Sequence, residues 1–231
     1  MSLYSDILSK VKTREKGVSD MLKSDNKGTV VIDGVVGVGK STLMKILSEI
    51  GYTEFAEPVV DNPILEKFYY DRARYAFSLQ IFFLNKRFKY IKEASSMGNA
   101  VMDRSIYGDC IFAKMLCDGG DMSKDEFELY RELLENMLEH VEPPKLMIYL
   151  ETSVDAAMAK IKKRGRNYEQ VVERAYWETL NKEYEAYFEA YNISPILKIN
   201  VDALDFENNT EDRKYVLKLI EHKLSEIERE F

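Results

Sequence analysis

Apolar positions along the chain change rhythm repeatedly, and each change marks a predicted element. Thr29-Val-Val-Ile-Asp33 is a short β-branched run and reads as a buried strand. A glycine-rich stretch follows. Leu43, Ile46, Leu47 and Ile50 then recur at helical spacing, which predicts a helix over 40–50 stopped by Gly51. Tyr52–Phe55 reads as a second strand, ended by Glu57-Pro58, and Pro63 opens a helix near 63–70. From about Ala73 to Ser96 the pattern stays helical and rich in Phe, Tyr, Leu and Ile, as for a helix deep in the fold. Asn99–Asp103 is a third strand. Helices near 106–117 and 124–140 follow, separated by Asp118-Gly-Gly-Asp121, and Pro143-Pro144 stops the second. Lys145–Leu150 is a fourth strand, and Thr152 or Ser153 caps a helix to Arg164, broken by Gly165. A long helix over 171–191, a strand Ile196–Val201 and an amphipathic helix from Thr210 to the end complete the series.

Strands alternate with helices throughout. The expected fold is α/β: a five-stranded parallel sheet with helices on both faces. There is no internal repeat and no low-complexity segment. Residues 28–231 read as one domain, and residues 1–27 as an N-terminal appendage in which Leu3, Ile7, Leu8 and Val11 can form one short amphipathic helix.

Composition narrows the classes of function. A net charge of −7 argues against a broad basic surface for nucleic acid, so any phosphate binding must rest on a few placed cations. No apolar stretch reaches the roughly 18 residues of a membrane span, and the charged N-terminus lacks a signal-peptide core. Cys110 and Cys117 stand two helical turns apart, too far to bridge. Buried thiols in a reducing cytoplasm are the expected state.

Gly34-Val-Val-Gly37-Val38-Gly39-Lys40-Ser41-Thr42 then carries the chemistry. It reads G-x-x-x-x-G-K-S between a strand and a helix, the loop that wraps backbone N–H groups around phosphates. Lys40 can reach the β- and γ-phosphates, and Ser41 can hold Mg²⁺. Parallel sheets bind ligands at the carboxyl ends of their strands, where Glu57 and Asp103-Arg104 also fall. Glu57 can accept the proton of an attacking hydroxyl. Asp103 can hold Mg²⁺ opposite Ser41, and Arg104 can stabilise charge or orient Glu57. Taken alone, Glu57 can also be a surface residue at a strand end, and Asp103-Arg104 a strand-end ion pair. Lys160-Ile-Lys-Lys-Arg164-Gly-Arg166 is a basic cluster beside a hinge glycine, suited to a lid that closes on phosphates, though a solvated face is the ordinary origin of such a run. Gln80 and Arg87, seven residues apart, share one side of the long helix. A nucleobase edge would satisfy Gln80, and internal groups such as Asp109 would serve equally.

With these residues in hand, the chain resembles the deoxyribonucleoside kinases, above all the bacterial deoxyadenosine/deoxyguanosine type. The resemblance runs from about residue 29 to 202. It is carried in order by Gly34–Thr42, Glu57-Pro58-Val59, Phe68-Tyr69, Gln80 with Arg87, Asp103-Arg104-Ser105 with Asp109, and Arg164-Gly-Arg166-Asn-Tyr-Glu169. It implies ATP- and Mg²⁺-dependent phosphorylation of a deoxyribonucleoside, purine favoured, at its 5′-hydroxyl. Glu57 would be the base and Arg104 its partner. Tyr69 and Glu169 would hold the sugar 3′-hydroxyl, and Gln80, Arg87 and Asp109 would read the base. Lys40, Lys160, Arg164 and Arg166 would face the phosphates, and the donor adenine would lie near Val201–Phe206. A homodimer through the long helices is also implied. Two other readings fit less well. Thymidylate kinases carry glycines after Glu-Pro, where Val59-Val60 stands here. A GTP-binding switch needs Asn-Lys-x-Asp, and Asn181-Lys-Glu-Tyr184 lacks the carboxylate.

Overall fold

The computed structural model describes residues 3–9, 28–59, 62–170 and 172–229. β1 (Gly28–Asp33) is the centre of a five-stranded sheet because Val30, Val31 and Ile32 have no exposed surface at all. With β2 (Thr53–Phe55), β3 (Asn99–Asp103), β4 (Leu146–Glu151) and β5 (Ile196–Asn200), the order is β2-β3-β1-β4-β5, and every pairing is parallel. The apolar runs of β1, β3 and β4 are buried on successive residues, so both sheet faces are covered. β1 pairs Ile32 with Asp103 and Asp33 with Tyr149. That register brings the ends of β1, β3 and β4 to one edge.

The helices are α1 (Leu3–Ser9), α2 (Lys40–Glu49), α3 (Leu65–Tyr70), α4 (Arg72–Met97), α5 (Asp109–Asp118), α6 (Lys124–Leu138), α7 (Val154–Arg164), α8 (Asn167–Gln170), α9 (Arg174–Ala190) and α10 (Thr210–Arg229). α4 buries Ala76, Leu79, Gln80, Phe83, Leu84, Arg87, Ile91 and Ala94, which recur at i, i+3, i+4 and i+7 spacing and define one helical face. The Asp71 carboxylate caps its start and Gly98, in the left-handed region, ends it.

Several helix boundaries differ from the sequence expectation. α3 starts at Leu65 rather than Pro63, because Asn62 Oδ1 accepts the N–H groups of Ile64 and Leu65. The helix expected from 106 opens as a 3₁₀ turn, Ile106–Gly108, capped by Ser105, and becomes α-helical only at Asp109. Helix 124–140 ends at Leu138. The helix expected over 171–191 starts at Arg174, because Glu173 is extended with ψ 149°, and α8 precedes it as a separate turn. Both cysteines are free, and burial pushes the Cys110 thiol up to about 12.

α1 is packed into the body. Tyr4, Ile7 and Leu8 are buried, and the Tyr4 ring meets Tyr187 of α9 edge-on with centroids 5.2 Å apart. The Tyr4 hydroxyl donates to Glu183. Val11, read with this helix from the sequence, lies outside the described residues. Ile7→Ala should therefore lower stability by about 2–5 kcal/mol. Urea unfolding checks this. A loss under about 0.5 kcal/mol would mean that α1 contributes no packing.

Candidate active site

The loop between β1 and α2 folds as a phosphate cradle through its glycines. Gly34 has φ 145° and Gly39 φ 114°, both in the region L side chains avoid. A Cβ on Gly34 would stand 2.6 Å from the Leu150 carbonyl oxygen, and one on Gly39 would stand 2.9 Å from the Phe206 ring. No side chain caps the first turn of α2, so its N–H groups and dipole are open to an anion. Gly37, Gly39, Lys40, Ser41 and Thr42 line a cleft of about 930 Å³. Gly34 and Val38 lie behind that wall; Val38 is fully buried.

Lys40 is only 7% exposed, and its ammonium donates to the carbonyls of Gly34 and Val35, each at 2.9 Å. Burial and then the Arg104 charge lower its pKa to about 8, against the pull of Asp103, Glu57 and Asp33. The lysine rests on its own loop where phosphate oxygens can replace the carbonyls. Ser41 Oγ donates to Asp103 Oδ2 at 2.7 Å, and Asp103 Oδ1 is buried with no hydrogen-bond partner among the described residues. A serine hydroxyl beside an unsatisfied carboxylate oxygen is the hard-oxygen donor set that Mg²⁺ prefers.

Glu57 follows β2 and is gripped from two sides. Its Oε1 accepts from Arg87 Nη2 at 2.8 Å and from Arg104 Nη1. Burial alone would raise its pKa, but Arg104, Arg87 and Lys40 outweigh burial and hold the carboxyl down at about 2. Arg104 has φ 64°, unlike any other non-glycine residue among those described. Such a backbone costs on the order of 1–3 kcal/mol and persists only where its surroundings fix it. Here the backbone N–H donates to the Ile32 carbonyl at 2.9 Å, and the guanidinium lies 5.0 Å over the Phe112 ring.

Gln80 and Arg87 face the same cleft from α4, with Tyr69, Phe83 and Tyr176. Among the described residues nothing hydrogen-bonds the Gln80 carboxamide, although Gln80 is 4% exposed. Arg87 bridges Glu57 and Asp109 and stacks 4.7 Å over Phe83. Asp109 does not reach the cleft; it is buried behind Arg87. On the opposite wall Lys160, Arg164 and Arg166 stand beside the loop, and Lys160 Nζ lies 3.5 Å from the Val38 carbonyl. Arg164 and Arg166 both bind Glu169, at 2.7 and 3.3 Å, so three expected site residues satisfy one another. Leu204, Asp205 and Phe206 line the far end, whereas Val201 is fully buried.

A sequence profile of the deoxynucleoside kinases matches residues 30–225. The chain belongs to the deoxynucleoside kinase family. It is 43% identical over 208 residues to a deoxyadenosine kinase of Lactobacillus acidophilus, covering 86% of this chain and 97% of that one. It is 41% identical to a deoxyguanosine kinase of Lactobacillus johnsonii, covering 86% and 93%. Its fold superposes on the deoxyadenosine kinase of M. mycoides with bound dATP at a TM-score of 0.75, with 33% identity over 84% of this chain and 99% of the other. The kinase therefore phosphorylates deoxynucleosides, and neither a thymidylate kinase nor a GTP switch is favoured.

Two buried residues at the floor of the kinase site were not singled out from sequence. Asp33 is fully buried, and burial pushes its carboxyl pKa up despite Arg104 and Lys40 nearby. Tyr184, at 0% exposure on α9, donates to Asp33 Oδ1 at 3.2 Å and accepts from Arg104 Nε at 3.1 Å. The available signal was an acidic residue closing an otherwise apolar strand.

The grip on Glu57 has a pH signature. A carboxylate with a depressed folded pKa adds stability above its unfolded pKa and loses it as pH falls through the folded value. Between about pH 4.5 and pH 2 the wild type should lose more unfolding free energy than Glu57→Gln, which has nothing to titrate there. Urea unfolding at several pH values reads this out, and equal losses would show that Glu57 is not held ionised by the arginines.

Proposed function

We propose that this kinase transfers the γ-phosphoryl group of ATP to the 5′-hydroxyl of a purine deoxyribonucleoside, releasing the 5′-monophosphate and ADP. One observation carries the reading: Glu57 and Gln80 open onto the same cleft as Gly37, Gly39 and Lys40. A sugar hydroxyl at Glu57 thereby lies within a single cavity with a phosphate on the loop. The relatives named for deoxyadenosine and deoxyguanosine support the purine preference.

The base packs against Phe83, with Gln80 offering donor and acceptor to its edge and Arg87 holding the adjoining wall. Tyr69 and Glu169 take the sugar 3′-hydroxyl. Glu169 is paired with Arg164 and Arg166, so binding of sugar and phosphates releases those arginines toward the triphosphate. Lys40 leaves its two carbonyls for the β- and γ-phosphates, regaining its proton affinity there. Ser41 and Asp103 would hold Mg²⁺, which when bound neutralises charge on the phosphate oxygens. The 5′-oxygen attacks phosphorus in line, its proton passes to Glu57, and the bond to the bridging oxygen breaks. A carboxylate held near pH 2 is a weak base, which suits a loose transition state in which the proton moves late. Arg104, Arg164 and Arg166 stabilise the spread charge, and lid closure excludes water that would otherwise hydrolyse ATP. Leu204 and Phe206 take the donor base.

We also read the protein as a cytoplasmic homodimer. Phe77, Ile81 and Phe88 share one side of α4 and are only partly covered, which supports a partner on that face.

Glu57→Gln should lower kcat by about 10²–10⁴ while deoxyadenosine still binds. Steady-state kinetics beside equilibrium binding decide this, and near-normal turnover removes Glu57 from its role. Gln80→Ala should weaken deoxynucleoside affinity far more than ATP affinity, measured for all four deoxynucleosides. An equal loss for nucleoside and ATP would make Gln80 a packing residue only.

A further inference from the structure

Neither Asp33 nor Tyr184 lines the cleft, yet both converge on Arg104, whose backbone is strained. Arg104 spends each nitrogen differently. Nη1 meets Glu57, Nη2 lies 3.4 Å from the Gly34 carbonyl, and Nε donates to the Tyr184 hydroxyl at 3.1 Å. That hydroxyl donates to Asp33 Oδ1 at 3.2 Å, and the same carboxylate oxygen accepts the Gly34 N–H at 2.8 Å. Asp33 Oδ1 also lies 3.7 Å from Arg104 Nε. The chain of contacts therefore links the first residue of the phosphate loop to the far end of the guanidinium.

Tyr184 cannot drift. Its ring is fully buried, stacked near Tyr149 and Phe188 with centroids 6.4 and 6.1 Å away, and Phe112 meets it edge-on. Asp33 is fixed from behind by Gly108, where a Cβ would stand 2.5 Å from Oδ2. A fully buried carboxylate in an apolar strand is unfavourable unless its partners repay the lost hydration. Its described partners, the loop amide, the tyrosine and the arginine, all meet Oδ1, while Oδ2 is buried with no hydrogen-bond partner among the described residues. Charge from Glu57 pulls the guanidinium to one side; the tyrosine–aspartate pair fixes the other side and so sets its rotation.

We propose that Asp33 and Tyr184 are positioning residues that orient the Arg104 guanidinium on Glu57, and so tune phosphoryl transfer without touching nucleoside or ATP. The proposal rests on the roles given above to Glu57 and Arg104, and its test separates the two.

Tyr184→Phe deletes one oxygen and keeps the ring. Measured alone, it should lower kcat about tenfold while the KM for ATP changes less than about twofold. Arg104→Lys has no Nε in that place and nothing for the hydroxyl to orient. In that background Tyr184→Phe should change kcat by less than about twofold, because residues acting through one group are not additive. Asp33→Asn keeps an oxygen for the Gly34 amide and is put through the same cycle; it replaces Tyr184→Phe if thermal melting shows that variant unfolded. An unchanged kcat in the wild-type background, or an equal tenfold loss in both backgrounds, overturns the orienting role. Arg104→Lys by itself reports on the underlying assignment: a wild-type kcat there would remove Arg104 from the reaction and the proposal with it.

Discussion

Everything at the mouth of this sheet depends on one carboxylate, Glu57, held by two guanidinium groups at the wall of the cleft. Glu57 sits 2.8 Å from Arg87 and also contacts Arg104, while Lys40, Asp33, Asp103 and Asp109 crowd around them. Buried charges persist where partners of opposite sign or hydrogen bonds compensate the lost hydration. Arg104 meets Glu57 and Asp33, and Arg87 from the buried face of α4 meets Glu57 and Asp109, whereas Lys40 rests on backbone carbonyls and Asp103 on Ser41. The cleft therefore carries a network of paired charges centred on Glu57, whose carboxyl the arginines hold well below the usual carboxylate range.

The loop and the lid follow the same logic of internal satisfaction. Lys40 lies on two carbonyls of its own loop, Arg164 and Arg166 lie on Glu169, and Ser41 lies on Asp103. On the roles proposed above, each of these contacts is one that a substrate group would take over, so that binding would exchange partners rather than create new ion pairs.

Much of this was readable in the residue pattern. The five strands, their parallel sense and the phosphate loop came from β-branched runs and glycine spacing, because those signals are local. The placement of Glu57 and Gln80 on one cleft also followed, since parallel strands share their carboxyl ends and a helical period aligns Gln80 with Arg87. What the pattern did not carry was contact between distant segments. Tyr184 reaches Asp33 across 151 residues, and nothing in the spacing of α9 distinguishes it from the core aromatics Tyr187 and Phe188. The break at Glu173 and the 3₁₀ opening of α5 are fixed by a backbone angle and by Gly108 packing against Asp33, which are tertiary facts. The docking of α1 on α9 was equally invisible, since an amphipathic stripe does not say what covers it.

Arg87 joins Asp109 at one end and Glu57 at the other. On the roles proposed above, that single side chain spans the nucleobase wall and the acid–base centre, and descendants of this sequence that come to accept a different nucleobase could not exchange it without disturbing turnover for every base at once. Divergence of base choice has to travel through neighbours such as Gln80 and Phe83, which leaves Arg87 as an evolutionary bottleneck in a pocket that is otherwise open to change.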